Sequence, residues 1–129
     1  GIWPPHCVQG TEGAELHPGL DRRRLHVVID KGRDPLSQGY SAFQDSPLAA
    51  ILRERGVDRV WIGGLATDYC VRASALDALA LGLEVTVIED AVRGIDVRAG
   101  DTTRALAEVR EAGARVASSA EVAASRPER

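Results

Sequence analysis

Methionine is absent from the 129 residues, and lysine occurs once, as Lys31, among sixteen basic residues. The missing methionine leaves two readings of the start: an initiator removed before Gly1, or a chain that begins inside a longer domain. The opening Gly1-Ile2-Trp3-Pro4-Pro5 reads as loop, with no strand or helix before it. Cysteine occurs twice, as Cys7 and Cys70, far apart in sequence, so free thiols are expected and not a disulfide framework. No stretch approaches the roughly 18 consecutive apolar residues of a membrane-spanning helix, and no basic segment followed by an apolar one reads as a secretory signal. A cytoplasmic address is expected. A net charge of -3, a pI of 5.6 and basic residues scattered among acids leave no electrostatic footprint for nucleic acid or anionic lipid. A small-molecule substrate or a protein partner is expected instead, and a homo-oligomer stays open.

The sequence that is present, 44% hydrophobic and 27% charged, describes one domain over residues 1–129 with a single core. Leu25 to Asp30 (LHVVID) is a short apolar, β-branched run that predicts a buried strand. Gly32 to Gln44 is rich in Gly, Pro, Ser and Asp and reads as a long loop. Ser46-Pro47 supplies a cap and a first-turn proline for a helix to Arg55, which Gly56 stops. Arg59 to Gly63 predicts a second strand, leading into the turn Gly64-Leu65-Ala66-Thr67. Asp68 to Leu81 predicts a helix with Val71, Ala75, Leu76 and Leu79 on one face and Gly82 at its end. A strand over Glu84 to Glu89 follows. A helix from Thr102 to Ala112, capped by Asp101 and ended by Gly113, then leads to a short strand over Arg115 to Ala117, with a polar tail after Ala124. Strands that are apolar in runs and alternate with helices predict a doubly wound, Rossmann-like α/β fold: a parallel sheet with helices on both faces.

Open parallel sheets bind ligands at the loops after their strands. The second strand runs into GGLATDYCVR, which places Cys70 at a strand-to-helix turn. Main-chain N–H groups and the positive end of a helix dipole favour a thiolate there and can also hold an oxyanion. Position alone leaves two readings of Cys70, a nucleophile or a small residue packed under the sheet. Lys31 stands at the end of another predicted strand. A compact ammonium there supports a thiolate as a forked guanidinium does not, and a lysine on an exposed turn is the plain alternative.

Four blocks, in order, resemble the isochorismatase-like cysteine hydrolases, and the nicotinamidase branch in particular. They are Trp3-Pro4-Pro5-His6-Cys7 with Gly13-Ala14-Glu15-Leu16-His17-Pro18 behind it, Asp30-Lys31-Gly32, Tyr40-Ser41-Ala42-Phe43, and Gly64-Leu65-Ala66-Thr67-Asp68-Tyr69-Cys70-Val71-Arg72. The resemblance implies an Asp-Lys-Cys triad with Cys70 as nucleophile and Lys31 steadying its thiolate. It implies an oxyanion hole from the N–H groups of Ala66 and Cys70, preceded by a cis peptide between Leu65 and Ala66. Trp3, Tyr40, Leu65 and Tyr69 match substrate-binding positions, and the three aromatic residues also suit plain packing. His6 matches a ligand of a divalent metal, zinc, iron or manganese.

The implied reaction is hydrolysis of nicotinamide to nicotinate and ammonia through a thioester, a step of pyridine-nucleotide salvage. Another small-amide hydrolase of the same superfamily, or an inactive binding fragment, are the alternatives. The family's catalytic aspartate and its other metal ligands have no counterpart between Gly1 and Trp3. They are expected upstream, with the first strands of the sheet, so that residues 1–129 form the C-terminal portion of the domain. Asp30 and Asp68 belong to other motif positions.

Overall fold

In the computed structural model, which describes residues 3–125, regular alternation begins at Leu48: α1 (Leu48–Glu54), β1 (Arg59–Leu65), α2 (Arg72–Ala80), β2 (Glu84–Arg93), α3 (Asp101–Glu111), β3 (Arg115–Ala117) and α4 (Ser119–Ser125). Gly1, Ile2 and the last four residues of the expected polar tail lie outside the described residues. The strands lie in the order β1-β2-β3, all parallel, which is the α/β Rossmann-like arrangement expected. Arg59 pairs with Glu84 and Ile62 with Val87, after which the register slips and Gly64 meets Val92. The extra residues on β2 bulge the ladder beside the two glycines, immediately before the chain leaves β1 for the cysteine turn.

Burial explains why these segments take these places. Val85, Val87 and Val92 of β2 pack on Ala75 and Ala78 of α2 and Val109 of α3, with Val71 and Ala114 completing the buried cluster. The small side chains on α2 let it approach the sheet closely, and its buried stripe runs through Val71, Ser74, Ala75 and Ala78, while Leu76 and Leu79 pack at its edge. Ser46 Oγ accepts the Leu48 N–H at 3.1 Å, as a cap should. The three connections from helix to strand close alike, the Val57 N–H donating to Leu52, Leu83 to Ala78 and Ala114 to Val109, with Gly56, Gly82 and Gly113 just before the donors.

Several expectations change. Leu25 to Asp30 is not a strand: no strand among the described residues pairs with it, and Val27 and Val28 are 41% and 59% exposed. An apolar, β-branched run meets the local requirement for a strand, but main-chain hydrogen bonds to a neighbour make one. The helix expected from Asp68 splits into a wider π-helical turn, Thr67–Val71, and α2. β2 runs four residues past the predicted Glu89 because Val92 is buried and pairs with Gly64. α3 starts at Asp101 itself, and the capping carboxylate is that of Asp96, which accepts the Thr102 N–H at 2.7 Å. α4 had no clear signal; it begins where Asp90, at a distance of 29 residues, accepts both the N–H and the hydroxyl of Ser119. No helix among the described residues is long and apolar enough to cross a membrane.

Candidate active site

β1 ends at Leu65, and the Leu65–Ala66 peptide is cis, as the family resemblance implied. The next five residues wind the π-helical turn, closed by the Val71 N–H donating to the Ala66 carbonyl at 3.1 Å. Cys70 is the fourth residue of that turn and is half-buried. Lys31 arrives from 39 residues upstream, and its Nζ donates to Cys70 Sγ at 3.2 Å and to the Gly39 carbonyl at 2.9 Å. The structure therefore brings together the two residues that sequence placed at the ends of separate segments.

The loop that holds Lys31 closes on itself. Gly39 is buried, with φ at 63°, and a Cβ added there would stand 2.5 Å from the Gly32 Cα. Only glycine fits, and the close approach aims the Gly39 carbonyl at the ammonium. A second tie runs from the same loop to α2: Ser74 Oγ accepts the Ala42 N–H at 2.9 Å. Sequence reasoning passed over Gly39 and Ser74. The available signal for Ser74 was a hydroxyl on the buried stripe of the helix, one turn beyond Cys70.

Trp3, Tyr40 and Tyr69 converge from three segments. Trp3 Nε1 donates to the Tyr40 hydroxyl at 3.0 Å, Trp3 meets Tyr69 edge-on with ring centres 5.0 Å apart, and Tyr40 and Tyr69 are 5.5 Å apart. Desolvation first, and then the carboxylates of Asp68 and Asp101, push the Tyr69 phenol above its ordinary range. A cavity of about 330 Å³ opens on the other residues, with Lys31, Cys70, Leu65, Phe43, Val60 and Ile62 in its wall. Trp3, Tyr40 and Tyr69 do not line it, so of the four positions matched to substrate binding only Leu65 does.

His6 is exposed, and its Nδ1 lies 2.7 Å from the Pro4 carbonyl. Since a carbonyl only accepts, Nδ1 carries the proton of that hydrogen bond, which leaves Nε2 as the ring nitrogen outside it. One ligand is not a site: among the described residues no group of three or more His, Cys, Asp or Glu side chains is placed to hold a metal ion. The residues described here do not by themselves fit one.

The isochorismatase domain, as a family pattern, matches residues 1–121. This chain belongs to the isochorismatase family. Within it, the chain is 44% identical over 119 residues to the nicotinamidase of Escherichia coli K12, an alignment covering 88% of this chain and 56% of that enzyme. The pyrazinamidase of Pyrococcus horikoshii, solved in complex with zinc, is 47% identical with a TM-score of 0.82, covering 92% of this chain and 64% of that one. PnC1 from L. infantum, solved in complex with nicotinate, is 38% identical with a TM-score of 0.86, covering 93% and 62%. The chain spans about half the length of the curated relatives it matches. Every residue of the site described above lies inside the stretch matched to the isochorismatase domain.

Proposed function

We propose that the whole protein is a cysteine-dependent amidohydrolase that converts nicotinamide to nicotinate and ammonia, with Cys70 as nucleophile. The observation that carries this reading is the 3.2 Å contact of the single lysine with Cys70 Sγ, on the turn that follows β1. The similarity to nicotinamidases supports the choice of amide.

In this reading Cys70 Sγ bonds to the carboxamide carbon while the N–H groups of Ala66 and Cys70 face the developing oxyanion. The C–N bond breaks, and ammonia leaves with a proton from an acid. Water then cleaves the thioester, giving nicotinate and restoring the thiol. Lys31 holds the thiolate between turnovers. No carboxylate among the described residues pairs with Lys31. The acid is assigned, with the family, to an aspartate upstream of Gly1. Trp3, Tyr40, Tyr69 and Leu65 are assigned to the pyridine ring, and His6 to one coordination position of a divalent metal.

The whole protein and its Cys70 and His6 variants test this. The whole protein should release ammonia and nicotinate from nicotinamide in equal amounts, and acid quenching during turnover should trap a nicotinoyl adduct on Cys70. Hydrolysis that persists in Cys70→Ala, or iodoacetamide labelling of Cys7 as fast as Cys70, would remove the nucleophile assignment. Turnover of another small amide with nicotinamide untouched would change the substrate alone. For His6, metal content should fall in His6→Ala, and an equal content would make that residue structural.

A further inference from the structure

Asp68 stands two residues before Cys70, and its carboxylate is committed elsewhere in the fold. Its Oδ1 accepts the Ile95 N–H at 3.0 Å and its Oδ2 the Asp96 N–H at 2.9 Å. Both oxygens thus grip consecutive main-chain donors of the segment joining β2 to α3. That segment is in turn closed onto α3. Asp96 Oδ1 accepts the Thr102 N–H at 2.7 Å, and a Cβ added to Gly94 would stand 1.6 Å from Thr102 Oγ1. α3 itself packs against the cysteine turn, with Val109 sharing the core with Val71. The turn that carries Cys70 is therefore held on its apolar side by Val71 and on its polar side by Asp68.

We propose that Asp68 is a positioning residue: by holding the Ile95 and Asp96 N–H groups it sets the π-helical turn, and through it the place of Cys70 Sγ relative to Lys31. This rests on the amidohydrolase reading of Cys70. Positioning is separable from stability here because Ile95 and Asp96 are exposed, so water can replace the carboxylate at both donors. An amide at position 68 presents one acceptor and one donor to two N–H groups, so Asp68→Asn keeps the size of the side chain but cannot keep both bonds. Asp90 makes the same kind of two-oxygen clamp on Ser119 at the start of α4 and provides a matched comparison outside the site.

The test uses the whole protein and the variants Asp68→Asn and Asp90→Asn. It reads kcat and KM for nicotinamide, the iodoacetamide rate at Cys70 by mass spectrometry, and Tm. Since displacements of about 1 Å cost up to about 100-fold, Asp68→Asn is expected to lose about tenfold or more in kcat, with KM within about twofold and a Cys70 alkylation rate changed by about threefold or more. Asp90→Asn is expected to lower Tm and leave kcat unchanged. Asp68→Asn with kcat and alkylation rate close to wild type overturns the proposal, and so does an equal loss of kcat in Asp90→Asn. If the wild-type protein hydrolyses no amide, the amidohydrolase reading fails on its own, and the alkylation rates of Asp68→Asn and wild type decide the positioning role.

Discussion

Lys31 spends two of the three donors of its ammonium on Cys70 Sγ and the Gly39 carbonyl, and both contacts need a compact charge at the end of a flexible stem. A guanidinium is planar and wider, and its fork cannot place single donors on both acceptors without moving the turn. Lys31→Arg is therefore expected to abolish nicotinamide turnover in the whole protein while leaving its far-ultraviolet circular dichroism unchanged. A near-normal rate would take Lys31 out of the mechanism. The two residues were legible in sequence, one from its rarity and the other from its place after a strand and two glycines. Their pairing was implied by the family resemblance and not by any local pattern, because a separation of 39 positions and a loop closed at Gly32 and Gly39 decide the 3.2 Å contact.

Elements hold these residues at fixed distances, and two of them offer direct tests. In the loop after Lys31, Gly39→Ala places a methyl where the Gly32 backbone already stands, 2.5 Å away, at a φ that disfavours any side chain. It should displace the Gly39 carbonyl from the ammonium and lower kcat well before it unfolds the protein; kcat compared with Tm reads this, and an unchanged kcat would mean the carbonyl does not place Lys31. Between α2 and α3, Arg72 donates to both carboxylate oxygens of Glu108 at 2.6 and 2.7 Å. That hydrogen-bonded pairing, opposed by partial desolvation, holds the Glu108 carboxyl below the ordinary glutamate range and the guanidinium above its own. A depressed carboxyl contributes stability that is fully present above its unfolded pKa, about 4.3, and is lost as pH falls through the lowered folded value. Glu108→Gln should therefore lower Tm at neutral pH, with the gap to wild type closing in strong acid. Both side chains are more than a third exposed, which limits the effect to the order of 1 kcal/mol or less. A gap that stays constant down the acid limb would show that charge pairing contributes nothing.

At the scale of the whole molecule, the sheet has β1 at one edge, paired among the described residues with β2 alone. The cavity wall beside that edge includes Phe43, Leu48, Leu52, Val60 and Ile62, and Val28, Trp61 and Leu65 are 59%, 47% and 71% exposed. An unpaired apolar edge next to open apolar surface promotes association. Residues 1–129 expressed by themselves are expected to bind a hydrophobic dye, to associate as concentration rises, and to show no nicotinamide hydrolysis. A monomer that melts cooperatively and turns over nicotinamide would overturn this and place the acid among its own aspartates.

Local patterns in the sequence were sufficient for the alternation of helix and strand after Ser46, for the glycine stops at 56, 82 and 113, and for the family, because each depends on neighbours a few residues apart or on contiguous motifs. They failed at Leu25 to Asp30, where strand character depends on a partner, and at α4, whose start depends on Asp90 far upstream. The grip of Asp68 on Ile95 and Asp96 and the glycine contact behind Lys31 were decided only when distant segments packed together. Main-chain donors and acceptors are the same at every residue, so which of them meet across 27 or 28 positions is a property of tertiary structure and leaves no mark in the local sequence.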